Sequence, residues 1–222
     1  MTVIVQPGSS AGIGLTSAVF PLALPVLPSF ASIKVKMHDV VGVSESPYTL
    51  SRQSFEWPGK KLFAAMSLPP GTLQDTGRAW VAFLALMRGR AGVCLLGDTS
   101  LPVPRGSAAG VPLVNGANQA GMTLATKGWT ASAPLVLRSG DWIQVGTGLT
   151  QRLYLNCLDV NADASGDATL TIYPPLRESP ADGASIITQY PKGCFALTSN
   201  DREFDVDDAL SYGITLSLEE AI

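Results

Sequence analysis

Ser139-Gly140-Asp141-Trp142-Ile143-Gln144-Val145-Gly146-Thr147-Gly148 opens the stretch that decides the fold, which runs on to Pro180. Trp142 to Val145 alternate apolar and polar side chains, as a half-buried strand requires, and turn residues stand on either side. Upstream, Leu135-Val136-Leu137 reads as another short strand. Downstream, Leu153 to Leu158 is followed by the loop Asn161 to Asp167 and then by Ala168 to Tyr173. In that last run Leu170 and Ile172 share one face, with Thr169, Thr171 and Tyr173 on the other. Pro174-Pro175 ends it, because proline has no N–H to donate to a ladder. The whole stretch predicts consecutive antiparallel hairpins and carries almost no group suited to catalysis, which is the character of a scaffold.

Toward the N-terminus, strand patterns cover Ile33 to Val43, Leu50 to Trp57 and Leu62 to Leu68, with Pro58-Gly59-Lys60-Lys61 predicted as a hairpin turn. Leu73 to Arg88 is helical: Leu73, Gly77, Trp80, Leu84 and Met87 recur at helical spacing, Thr72 offers an N-cap, and Gly89 can supply the left-handed terminating residue. The Trp80 face of this helix should pack on the sheet. Ala91 to Leu96 is again strand-like, and the prolines at 102, 104 and 112 mark a crossing into a second module. Gly193 to Leu197, Glu203 to Val206 and Tyr212 to Leu218 then return to alternation, as if completing the first sheet. The fold class expected is mainly β: a discontinuous β-sandwich with one packed α-helix, and an inserted small β-barrel or sandwich domain. The domains expected are an extended arm at 1–31, a sandwich at 32–100 joined by 190–222 with its helix at 73–88, and an insertion at 101–189.

Only 15% of the 222 residues are charged against 46% hydrophobic, so part of the surface is expected to be covered by other copies or partners rather than by water. The alternative is a compact monomer with a Ser/Thr/Asn-rich surface. A net charge of −3 with no basic stripe argues against nucleic acid as a partner. Cys94, Cys157 and Cys194 are odd in number and set in apolar runs, so they are read as buried small hydrophobes in a reducing compartment. The first 30 residues lack Lys and Arg and are interrupted by Pro21, Pro25 and Pro28, which fits neither a signal peptide nor a spanning helix. No membrane insertion is expected. Phe20, Leu22, Leu24, Val26, Leu27 and Phe30 instead make this arm the candidate oligomer contact, docking on the next copy.

The chemical motifs are weak. Gly8-Ser9-Ser10-Ala11-Gly12-Ile13-Gly14 imitates a dinucleotide-binding turn, but Pro21 and Pro25 block the helix it needs and no βαβ pattern follows. The single histidine, His38, reads as an ordinary strand residue, with no nucleophile elbow beside it. Asp159, Asp163 and Asp167 could suggest calcium, yet the glutamate and flanking helices of an EF-hand are missing, and a solvated loop is the better reading. Glu203, Asp205, Asp207 and Asp208 alternate around Phe204 and Val206 as the wet face of a strand does. No catalytic, cofactor-binding or metal-binding residue is assigned, no cofactor is expected, and the chain is not read as an enzyme. Trp80 and Trp142 are expected in the core, whereas Trp129, between Gly128 and Thr130, is expected to be exposed. With Tyr154 it forms the glycan-stacking pair of an alternative reading, a carbohydrate-binding module.

Several motifs together resemble the distal tail proteins of long-tailed bacteriophages. They are Phe55-Glu56-Trp57-Pro58-Gly59; Leu68-Pro69-Pro70 leading into Ala79-Trp80-Val81-Ala82-Phe83-Leu84; and Leu95-Leu96-Gly97-Asp98 before Pro104-Arg105-Gly106. Gly140-Asp141-Trp142-Ile143-Gln144, Tyr173-Pro174-Pro175-Leu176-Arg177 and Tyr212-Gly213-Ile214 extend the likeness over most of the chain from about residue 20. The resemblance implies a structural virion protein at the tail tip, assembled in the host cytoplasm. Its sandwich would form a homo-oligomeric ring, expected as a hexamer, beneath the tail tube protein, with the inserted domain facing outward or toward the tip hub or fibre proteins.

Overall fold

The computed structural model describes residues 19–25, 32–69, 74–97, 102–208 and 211–222. Among the described residues the chain is mainly β with one α-helix. Two long strands, β1 (Ser32–Glu45) and β2 (Arg52–Ser67), precede α1 (Gln74–Met87) and β3 (Cys94–Leu96). Six strands follow: β4 (Gly110–Val114), β5 (Thr123–Trp129), β6 (Trp142–Val145), β7 (Arg152–Asn156), β8 (Ala168–Tyr173) and β9 (Ile186–Ile187). The chain closes with β10 (Gly193–Leu197), β11 (Asp205–Val206), β12 (Tyr212–Gly213) and β13 (Thr215–Glu220).

The strands form a five-stranded sheet in the order β1-β2-β13-β10-β3, a six-stranded sheet in the order β4-β5-β8-β7-β6-β9, and the separate pair β11-β12. The first sheet is therefore discontinuous in sequence, with β4 to β9 lying between its strands β3 and β10. The second is nearly closed into a barrel: its two edge strands meet where Val114 N–H donates to the carbonyl of Ala184 and Gly183 N–H to that of Val114. The expected hairpins are in place, β6 with β7 and β7 with β8, both antiparallel. Leu170 and Ile172 are both fully buried inside the barrel sheet with Leu124, Ile143 and Tyr154.

Helix α1 lays Trp80, Phe83, Leu84 and Met87 on Leu62, Ala64 and Met66 of β2 and on Leu216 and Leu218 of β13. The indole of Trp80 meets Phe83 edge to face at 5.5 Å. Gly77 is required for a close approach, since a Cβ there would lie 2.2 Å from the ring of Tyr212. The helix ends in two successive left-handed residues, Arg88 (φ 50°) and Gly89 (φ 66°), so the terminator predicted at Gly89 is shared with the residue before it. Thr72 lies outside the described residues.

Four expectations need correction. Leu135 to Leu137 is not a strand; it contributes one bridge, Leu137 to Val160, and Leu135 itself has φ 46°. The segment at 205–206 does not complete the first sheet but pairs with β12 alone. Pro58-Gly59 is not a hairpin turn. It sits within β2, where the ladder jumps from the pair Asp39–Lys60 to the pair Val41–Glu56, leaving Trp57, Pro58 and Gly59 opposite Val40. Proline fits there because no ladder N–H is demanded of it. The real turn spans 46–51: Ser46 Oγ accepts from the N–H groups of Tyr48 and Thr49, and Leu50 takes φ 56°.

The arm supplies the fourth. Leu22 pairs with Cys94 at the β3 edge, its N–H donating to Val93 and its carbonyl accepting from Leu95, each at 2.8 Å. It is 1% exposed, and Phe20 and Leu24 pack partly buried on the same core. The Leu22 side chain is therefore buried within its own subunit at the β3 edge, while Phe20 and Leu24 remain partly exposed. Val26, Leu27 and Phe30 lie outside the described residues.

Candidate functional site

The β1–β2 hairpin is long for its sheet, and its far half leaves the core altogether. Every residue from Lys34 to Gly59 except Ser46 is exposed. Within that span Val41, Val43, Tyr48, Leu50, Phe55 and Trp57 are large apolar side chains at the surface. Pairing places Val41 and Val43 on one face with Glu56 and Ser54, whereas Phe55 pairs with Gly42 on the other. A Cβ on Gly42 would lie 3.8 Å from the Trp57 indole nitrogen and 4.0 Å from the Phe55 Cβ, so the two aromatics flank the position left bare by the glycine. Both faces of the hairpin are thus apolar and unpartnered among the described residues. An isolated two-stranded ribbon of this kind gains little by itself in water.

The root of the hairpin is held firmly. Lys60 pairs with Asp39 at 3.5 Å and with Glu56, and its ammonium lies over the Tyr173 ring at 5.6 Å. The hydrogen bond that the Lys60 ammonium donates to Glu56 holds the Lys60 pKa above the usual lysine value. The Tyr173 hydroxyl donates to the His38 carbonyl and Asp39 carboxylate, both at 3.3 Å. Behind this cluster Arg177 bonds Glu220 at 2.6 Å and also the carbonyl of Lys60. Charged and aromatic groups from both sheets therefore clamp the hairpin where it leaves the body of the molecule.

On the outer face, Lys36 and Lys61 lie 5.8 and 5.9 Å from the centre of the Phe63 ring, and His38 meets the same ring edge to face at 6.0 Å. His38 is an exposed strand residue opposite Lys61. No nucleophile is hydrogen-bonded to it among the described residues.

The glycan-stacking pair is overturned. Trp129 is 4% exposed, with its indole N–H donating to Thr126 Oγ1 at 2.7 Å, and Tyr154 is 2% exposed, with its hydroxyl accepting from the Arg177 N–H. Trp129 and Tyr154 are buried because both side chains belong to the barrel core with Leu124, Ile143 and Leu170, whereas the neighbouring Leu153 packs in the core of the five-stranded sheet. The exposed tryptophan is Trp57, which stands before Pro58-Gly59 in the bulge of β2.

Two of the three carboxylates considered for calcium, those of Asp159 and Asp163, are occupied structurally. Asp163 Oδ1 accepts from the N–H groups of Ser165 and Asp167, Asp159 caps Ser139, and among the described residues no group of three or more His, Cys, Asp or Glu is placed to hold a metal. Backbone N–H donors hold the Asp163 carboxyl below the usual aspartate value, as a loop-closing side chain should. A cleft of about 820 Å³ lies between Leu84 of α1, Arg202 and Tyr212 to Ile214, rimmed by Asp201, Glu203, Asp205 and Asp207; its described lining contains neither His nor Cys. No helix among the described residues is long and apolar enough to cross a membrane. No family model matches the chain, and comparison with curated proteins finds no relative.

Proposed function

We propose that this chain is a structural protein of a virion, a ring-forming adaptor at the tail tip that joins the tail tube to the tip or host-recognition complex. The observation that supports it most is the β1–β2 hairpin, which exposes Val41, Val43, Phe55 and Trp57 on two opposite faces while its root is clamped by Lys60, Tyr173 and Arg177. A rigidly rooted, two-faced apolar ribbon is built to lie between neighbours, and a closed ring of copies covers such a surface in every subunit alike. The motif resemblance points the same way. The reading assigns the chain no catalysis, no cofactor and no nucleic acid; its partners are further copies of itself, a tube protein on one side and hub or fibre proteins on the other.

Electron microscopy of the purified protein, together with antibody labelling of tailed particles, tests the proposal. Closed rings of one size and label confined to the distal end of the tail are expected. A protein that stays monomeric at high concentration and is absent from particles overturns it.

A further inference from the structure

The five-stranded sheet has β1 at its free edge, and the first half of that strand reads Lys34-Val35-Lys36-Met37. Its charges lie on the outer face, where Lys36 pairs with Phe63, and its apolar residues on the helix side, where Val35 pairs with Ala64 and Met37 with Leu62. Among the described residues the edge is open as far as Met37; at His38 the Tyr173 hydroxyl takes the carbonyl. Neither Lys34 nor Lys36 is ion-paired with any acid among the described residues.

The other hairpin, β11–β12, belongs to neither large sheet, and among the described residues β11 has a partner on one side only. Around it the chain reads Glu203-Phe204-Asp205-Val206-Asp207, the same alternation with the charge reversed. Glu203 and Asp205 are exposed and ion-paired with no base among the described residues, whereas Phe204 stacks on Tyr212 at 6.3 Å on the side of α1. Val35, Met37, Phe204 and Val206 are all between 46% and 47% exposed, so each retains an apolar half to bury.

We infer that β11 of one copy adds to the free edge of β1 of the next. Main-chain hydrogen bonds then extend the five-stranded sheet across the subunit boundary, Lys34 and Lys36 meet Glu203 and Asp205 on the outer face, and Val35 and Met37 meet Phe204 and Val206 on the helix side. Both halves of the contact are on every chain and they differ from each other. The interface is therefore heterologous, each copy keeps one unused half, and association continues until a ring closes. Alternation in phase on both strands sets the register, since a slip of one residue would put lysines against valine and phenylalanine. This inference rests on the ring proposed above and names the surfaces that build it.

Two charge-reversed variants test it by sedimentation at low salt: Lys34→Glu with Lys36→Glu, and Glu203→Lys with Asp205→Lys. Each alone is expected to lose self-association by about tenfold or more, because like charges then face each other. An equimolar mixture of the two is expected to recover it, since both contacts in an alternating assembly are again complementary. Wild-type rings that persist unchanged in both variants overturn the contact and leave the ring reading standing; a wild-type protein that never associates overturns both. Should the variants fail to fold, zero-length carbodiimide coupling on a mixture of nitrogen-15-labelled and unlabelled wild type decides the matter. Links from Lys34 or Lys36 to Glu203 or Asp205 between labelled and unlabelled copies are expected, and links confined to single copies overturn the inference.

Discussion

Arg177 and Glu220 form a buried ion pair between the two sheets: Nη2 lies 2.6 Å from Oε2 and Nε 3.2 Å from Oε1, with side chains 9% and 3% exposed. Arg177 follows the last hairpin of the barrel sheet, and Glu220 ends β13 of the five-stranded sheet. Glu220 Oε2 also accepts from the Leu62 N–H at 3.3 Å. Removing one partner leaves the other charge buried and alone, so Arg177→Met is expected to cost about 3–5 kcal/mol, whereas Arg177→Met with Glu220→Leu costs less than the single change. Urea unfolding of the three proteins checks this; a single variant no less stable than the double one would falsify the assignment.

Gly77→Ala provides a second test of packing. Alanine is the better helix former by about 0.8–1.0 kcal/mol, but the added Cβ meets Tyr212 at 2.2 Å and overpacking costs about 1–3 kcal/mol. The substitution is expected to destabilise the wild-type protein and to stabilise the Tyr212→Gly variant, which also lacks the Tyr212 Cβ that would lie 2.7 Å from the added one. Thermal melts showing the same sign in both backgrounds would remove the steric argument.

The hairpin aromatics should matter to association and not to the fold. Phe55→Ser with Trp57→Ser removes side chains that are 72% and 58% exposed, so the monomer's stability is expected to change by no more than about 0.5 kcal/mol per site. Self-association measured by light scattering should fall. A large loss of monomer stability would show that these rings are packed at home.

Thiol chemistry separates the three cysteines. Burial pushes the Cys94 thiol up to about 12, and burial also raises Cys157 and Cys194. The thiolate is the reacting species, so the native protein at pH 8 is expected to react slowly with a disulfide reagent, with the half-buried Cys157 first and Cys94 last. Denaturation should release all three at once. Peptide mapping after partial labelling reads the order directly.

Acid should loosen the molecule. Asp163 is held low by backbone N–H groups, Asp182 by its hydrogen bond from Lys127, and Glu219 by its hydrogen bond from Lys61. All three are depressed in the folded state, so their contribution is full above the unfolded carboxylate values, near pH 4, and is lost as pH falls through the lower folded values. A melting temperature level from pH 5 to 8 and declining below about pH 4 is expected. Glu219→Gln should flatten part of that decline.

The alternation along β8 and the helical spacing of Gly77, Trp80, Leu84 and Met87 were legible because period two and period 3.6 are local properties that burial on one face imposes directly. The loop closed by Asp163 was legible for the same reason, since its hydrogen bonds reach only two and four residues along the chain. The candidate surface was not. Pro58-Gly59 has the same turn chemistry whether it ends a strand or bulges within one, and only the register of β1 on β2 distinguishes the two.

Local pattern alone therefore fixes the kind of element in most places and its apolar face, because these follow from backbone sterics and nearest neighbours; even the turn of the long hairpin is set by register. Which faces are covered was decided by tertiary structure alone. Leu22 closes the edge of its own sheet at Cys94, Trp129 and Tyr154 turn into the barrel, and Trp57, equally apolar, is left in solvent on a hairpin that outruns the core. Burial depends on what stands opposite a residue across tens of positions of chain, and no local pattern encodes that distance.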